Sequence, residues 1–189
     1  MMQNKKVVGI TGGSGTGKSY ISAQLKNAGY LVIDADEVAH KCLEQAECAA
    51  EIRAEFGEGV IENGKPNRKK IGEIAFSEPK KLEKLGKITH KYILAEIQQK
   101  IDASDGRVVF VDGAVLIESG FKCDFMIGVL ADKKIRKERI INRDKISETE
   151  AEKRISAQQE DGFYRKKCDF IIENNGGEID ITEIVKRIQ

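Results

Sequence analysis

The most constraining feature of the sequence is the run Gly12-Gly13-Ser14-Gly15-Thr16-Gly17-Lys18-Ser19. It fits G-x-x-x-x-G-K-S/T at every fixed position. An apolar run, Lys6–Thr11, precedes it, and a helical stretch, Ser19–Ala28, follows. Glycines let such a backbone curl so that successive N–H groups point inward at phosphate oxygens. The helix N-terminus adds positive potential. Lys18 is then placed to reach the β- and γ-phosphates of a nucleotide, and the Ser19 hydroxyl to ligate Mg²⁺. A glycine-rich turn that matched by chance would lack this strand and helix on either side.

The rest of the chain supports the same class of fold. Four further apolar runs read as strands: Tyr30–Asp34, Arg107–Asp112, Phe125–Leu130 and Phe170–Glu173. Each is short and continuous rather than alternating, as a strand covered on both faces is. Helical stretches lie between them, Gly29 suits a helix stop, and Ile179–Ile188 closes the chain. The expectation is an α/β fold with a five-stranded, doubly wound parallel sheet and helices on both faces. Between the second and third strands the connection is far longer than a crossover needs. It reads as helices over Glu37–Phe56, Lys69–Ala75 and Pro79–Ala103, with Ser77 as the start of the last and a turn-rich Gly57–Asn67. We read it as a helical insertion at the C-terminal edge of the sheet, where ligands of open α/β folds bind.

A second device lies between the fourth and fifth strands. Asp132–Asp144 reads as a basic helix with Arg136, Arg139 and Arg143 on one face. Ser147-Glu148-Thr149-Glu150 is a capping box that opens a helix carrying Arg154 and Gln158. Arginines on a mobile helical lid can neutralise a moving phosphoryl group, and one such finger is worth about 10³–10⁵ in rate. The plainer alternative is a solvated basic face. Asp112, at the end of a strand, suits a Mg²⁺-holding carboxylate or a simple turn cap. Asp34 and Asp36 follow the second strand. One can orient an acceptor hydroxyl and take its proton, and the other can cap the next helix. Spacing alone does not choose between them. His40 and His90 read as helix-surface or core-edge residues.

Composition excludes several other classes. Lys+Arg number 32 against 31 Asp+Glu, so neither nucleic acid nor a membrane surface is an expected partner. The cysteines, Cys42, Cys48, Cys123 and Cys168, form no C-x-x-C pair, and only two histidines are present. They read as reduced thiols of a cytoplasmic protein, not as a zinc site. The opening MMQNKK runs into the first strand with no signal-peptide core, and no apolar run approaches the roughly 20 residues of a membrane span.

Taken together, these pieces resemble the dephospho-coenzyme A kinases of the P-loop kinase superfamily, over nearly the whole chain. Gly12–Ser19 looks like the family's phosphate loop, and Val32–Asp36 like its D-A-D. Asn63-Gly64 through Arg68, followed by Ile74-Ala75-Phe76-Ser77, and Leu82 through Thr89-His90 resemble further family stretches. Arg139-x-x-x-Arg143-Asp144, Arg154 with Gln158, and Asp169–Asn174 with Gly176 complete the ordered set.

The resemblance implies ATP-dependent phosphorylation of the ribose 3′-hydroxyl of dephospho-coenzyme A, the last step of coenzyme A biosynthesis. It implies ATP and Mg²⁺ as cofactors, and Asp36, Lys18, Arg139 and Arg143 as catalytic residues. ATP would be bound by Gly13, Ser14, Gly15, Thr16, Gly17, Lys18, Ser19, Tyr20 and Asn174. The acceptor would meet Asp36, Arg68, His90, Asp112 and Glu118, and the metal Ser19 and Asp112. Residues 1–189 would form one P-loop kinase domain, with an acceptor-binding insertion at 37–105, a lid at 133–165, and a monomeric or weakly homo-oligomeric state.

The sequence departs from the family where Lys91, not Pro, follows His90. The loop Asp112–Glu118 also lacks a proline and an aromatic, Tyr20 replaces Thr, and Cys168 replaces Ala. The altered loop keeps open another small-molecule or nucleoside kinase. A nucleotide-dependent switch is the third reading, although no N-K-x-D guanine-reading motif is present.

Overall fold

The computed structural model describes residues 5–188. The expectation for Met1–Asn4 lies outside the described residues, as does the side chain of Phe76. The chain enters on strand β1 (Lys6–Thr11), passes through the glycine loop, and continues as helix α1 (Lys18–Asn27). Gly29, with φ 89°, turns the chain back into strand β2 (Leu31–Asp34).

At Ala35 the chain begins a separate compact unit that extends to Ala103. It consists of α2 (Ala35–Cys42), α3 (Ala46–Phe56), a hairpin of β3 (Ile61–Glu62) and β4 (Lys65–Pro66), α4 (Arg68–Ser77) and α5 (Pro79–Ala103). The helix expected over Glu37–Phe56 is two helices. Glu44 and Gln45 donate their N–H groups to Lys41 and Cys42, three residues back, and Gln45 then takes an extended backbone. That tightened turn ends α2 and resets the direction of α3. The expected cap at Ser77 is also corrected. Ser77 is the last residue of α4 and donates its hydroxyl to the Ile74 carbonyl, while α5 opens on Pro79, where a missing N–H costs nothing. The turn-rich segment holds the hairpin, made by Asn63 and Gly64 at φ 50° and 77°. Two consecutive positive φ values are what a tight hairpin turn requires, and Asn-Gly supplies them. Asn67 caps α4 by accepting from the N–H groups of Lys69 and Lys70. Cys48, Ile52, Val60 and Ile71 form this unit's own apolar cluster.

The other unit resumes at Ser104. It adds β5 (Val108–Asp112), β6 (Phe125–Leu130), α6 (Lys133–Asp144), α7 (Glu148–Ser156), α8 (Asp161–Lys167), β7 (Phe170–Glu173) and α9 (Ile181–Ile188). The sheet is five-stranded, wholly parallel, and ordered β2-β5-β1-β6-β7. Val8, Ile10, Phe110, Ile127 and Val129 are buried at its centre, with Ile21 and Leu25 of α1 and Ile184 and Ile188 of α9 packed on them. Each such side chain contributes about 1.5–3 kcal/mol by leaving water. The capping box at Ser147 is formed in full. β1 lies between β5 and β6, so the glycine loop leaves the sheet where its winding reverses direction, the crevice in which α/β folds hold ligands.

Candidate active site

The phosphate loop is braced from outside. Its carbonyls accept hydrogen bonds from surrounding side chains, and among its N–H groups that of Ser14 is held by a side chain and that of Thr16 by the Gly13 carbonyl. Thr16 is fully buried and donates its hydroxyl to the Gly13 carbonyl at 2.9 Å. Arg136 Nε donates to the Ser14 carbonyl at 3.0 Å. Arg139 donates to the carbonyls of Gly15 and Thr16, both at 3.3 Å. Asn174, 5% exposed, donates its amide to the Thr16 carbonyl at 2.8 Å. Gly17 must be glycine for two reasons. Its φ is 92°, and a Cβ there would run into the Asn174 amide.

The three arginines of α6 all reach this loop, as one helical face should. Arg136 is 5% exposed, so it is not part of a solvated face. Arg143 is exposed and donates to the Ser14 hydroxyl at 3.3 Å and to Asp144 at 2.7 and 2.9 Å. Those bonds hold the Asp144 carboxyl below its ordinary value, and Asp144 also pairs with Arg154. Arg154 therefore belongs to the α6–α7 contact.

Lys18 and Ser19 open α1, with Ser19 and Tyr20 exposed. Tyr20 accepts a hydrogen bond from Gln24 at 2.7 Å. Asp112 ends β5 in register with Ile10 and accepts from the Ser22 hydroxyl at 2.7 Å. Ser22 is one turn along α1 from Ser19. A hydroxyl and a carboxylate brought to the same end of β1 are hard oxygen donors of the kind Mg²⁺ takes. No cluster of three or more acidic, histidine or cysteine side chains that could hold a metal occurs among the described residues. The donor set fits an ion that keeps its waters and takes further ligands from nucleotide phosphates.

Within the Ala35–Ala103 unit a cavity of about 460 Å³ is lined by Asp36 and His40 of α2, Leu43 just past its end, Arg68 of α4, and Leu85 and Thr89 of α5, among others. Asp36 and His40, four residues apart on one face of α2, form a wall with Leu43 beside them. His40 Nε2 and the Arg68 guanidinium are hydrogen-bonded.

A family model for dephospho-CoA kinase matches residues 6–180. The chain belongs to the dephospho-CoA kinase family. It is 36% identical over 184 residues to a dephospho-CoA kinase of Fusobacterium nucleatum, covering 96% of this chain and 95% of that protein. It is 39% identical to a dephospho-CoA kinase domain-containing protein of Danio rerio, covering 96% and 83%. Among solved structures, a Thermus thermophilus protein superposes with TM-score 0.86 at 27% identity, covering 98% of this chain and 96% of that one. The dephospho-CoA kinase of Campylobacter jejuni gives 0.62 at 26%, covering 98% of each. A shikimate kinase of Acinetobacter baumannii, at 0.51 and 15% identity, shares the fold.

For a member of this kinase family, the expected residues fall into three groups. Gly13–Ser19, Arg139, Arg143 and Asn174 are gathered on the phosphate loop. Asp36 and Arg68 share the cavity, whereas His90, exposed on α5, does not line it. Asp112 and Glu118 belong to the sheet unit, Glu118 exposed on the turn after β5. His40, read from the sequence as a helix-surface or core-edge residue, also lines the cavity. Its signal was the i+4 spacing from Asp36.

Proposed function

We propose that this kinase transfers the γ-phosphate of ATP to the ribose 3′-hydroxyl of dephospho-coenzyme A, giving coenzyme A and ADP. The cavity that presents the Asp36 carboxylate beside Arg68 and His40, in a chain of this family, carries the reading. Asp36 takes the proton of the 3′-hydroxyl as its oxygen bonds to the γ-phosphorus. The bond from that phosphorus to the bridging oxygen breaks, and ADP leaves. Lys18 and Arg143 neutralise charge on the moving phosphoryl group, while Arg139 and Asn174 hold the loop that cradles it. Ser19 and Asp112 would hold Mg²⁺, which neutralises phosphate oxygens when bound. Tyr20 would contact ATP, and Arg68, with His90, Asp112 and Glu118, the acceptor. Four free thiols support a cytoplasmic location, and we read the protein as a monomer or weak homo-oligomer.

The test is ADP release measured with dephospho-coenzyme A, with nucleosides, and with no acceptor. Release that requires dephospho-coenzyme A is the expected result. Release with nucleosides alone would move the acceptor to another class, which the altered Asp112–Glu118 loop would favour. Equal release without any acceptor would make the protein a slow nucleotide hydrolase.

A further inference from the structure

Gln158 lies two residues beyond the end of α7, yet its side chain reaches the phosphate loop. Its Oε1 accepts from the Ser14 N–H at 2.8 Å and from Arg136 Nη2 at 2.7 Å. Both partners are donors, so the oxygen of the amide is the end that faces them. Arg136 Nε donates in turn to the Ser14 carbonyl at 3.0 Å. Both polar groups of residue 14 are thus gripped by one pair of side chains. The fit is close: a Cβ on Gly13 would lie 2.7 Å from Gln158 Oε1 and would run into the Arg136 guanidinium. Ser14 is also the residue whose hydroxyl accepts from Arg143.

We propose that Gln158 is a positioning residue. Its oxygen, with Arg136, fixes the Ser14 peptide groups and so places Arg143 for phosphoryl transfer. It also ties the segment between α7 and α8 to the nucleotide loop, making that segment's position and the loop's shape one property. The inference rests on the phosphotransfer reading, but it is tested separately from the identity of the acceptor.

Position 158 needs an acceptor atom, not bulk. Gln158→Leu keeps the bulk and removes the acceptor, leaving the Ser14 N–H and one nitrogen of a buried guanidinium without that acceptor. Gln158→Glu keeps the acceptor and strengthens both bonds by charge. Three quantities are measured: turnover, ADP affinity by calorimetry, and the Ser14 amide by ¹⁵N NMR in the nucleotide-free protein. Turnover should fall roughly 10- to 100-fold in Gln158→Leu, the scale of a small misplacement in an active site. Gln158→Glu should restore most of it. The Ser14 amide should be protected from exchange in the wild type and in Gln158→Glu. If Gln158→Leu does not fold, the amide comparison between wild type and Gln158→Glu decides alone. Equal turnover in the Leu and Glu variants, or an unprotected Ser14 amide in the wild type, overturns the proposal. A wild type that binds ADP and shows the protected amide but ignores dephospho-coenzyme A refutes only the acceptor assignment.

Discussion

Asn174, just past the last strand of the sheet, donates its side-chain amide to the carbonyl of Thr16, 158 residues earlier in the chain. The bond is buried, and Asn174 is held in turn by its own N–H on the Leu130 carbonyl. One end of the sheet thereby sets the shape of a loop at its middle. Asn174→Ala leaves the Thr16 carbonyl with the single longer bond from Arg139. We expect a loss of about 1–3 kcal/mol, the cost of removing one partner of a buried hydrogen bond, read as a lower urea midpoint. The KM for ATP should rise more than turnover falls.

Lys18→Ala should abolish transfer while leaving the fold intact, since Lys18 is half-buried at the mouth of the loop and no core cluster includes it. Circular dichroism and single-turnover assays check the two halves of this statement. Normal turnover in a folded variant would end the phosphate-loop assignment.

Asp36→Asn is nearly isosteric but cannot take a proton. Turnover should drop by about 10²–10⁴, the range of a positioned acid or base. ATP affinity should hold, because Asp36 lies outside the phosphate loop. Asp34→Asn should do less. The measurement is single-turnover transfer with saturating nucleotide. A reversed order between the two variants would mean that the proton goes to Asp34.

Arg143 and Arg139 differ in burial and partners, so their variants should differ. Arg143 is exposed, and Arg143→Ala should lower turnover with little change in melting temperature. Arg139 is partly buried and braces two loop carbonyls, so Arg139→Ala should lower both. A pair of variants with equal melting temperatures would remove the bracing role.

The thiols give a pH dependence. Burial raises Cys48 and Cys168, each to about 11 from an ordinary 9.0. In the unfolded chain they lose their protons first, so the unfolded state holds fewer protons between pH 9 and 11. Stability should therefore fall as pH rises through that window. Urea midpoints at pH 8, 9 and 10 test it. Cys48→Ala should flatten the slope. A thiol reagent at pH 8 should react slowly with the native protein and quickly in denaturant.

The phosphate loop was legible because all of its information is local: glycines, one lysine and one serine between a strand and a helix. The parallel sheet was legible from continuous apolar runs. The hairpin at Asn63-Gly64 was equally local, but its strands are two residues long, too short for alternation to register. The break after Cys42 left no mark, since Glu44 and Gln45 are ordinary helix formers and only backbone geometry stops the helix there. The role of Arg136 depends on Gln158, 22 residues away, and no periodicity encodes that pairing. His40 was hidden differently. Its spacing from Asp36 was visible, but the facing residues Arg68 and Thr89 come from two other helices.

The excursion from Ala35 to Ala103 leaves the sheet once, returns once, and carries its own apolar cluster. Heredity can treat such a segment as a cassette. Leu43 and Leu85 of the cavity wall pack on Cys48, Ile52, Val60 and Ile71, and none of these residues belongs to the core cluster of the sheet unit. A change of acceptor can therefore be written largely into this one stretch of gene, with the Asp112–Glu118 turn as the contribution from outside it.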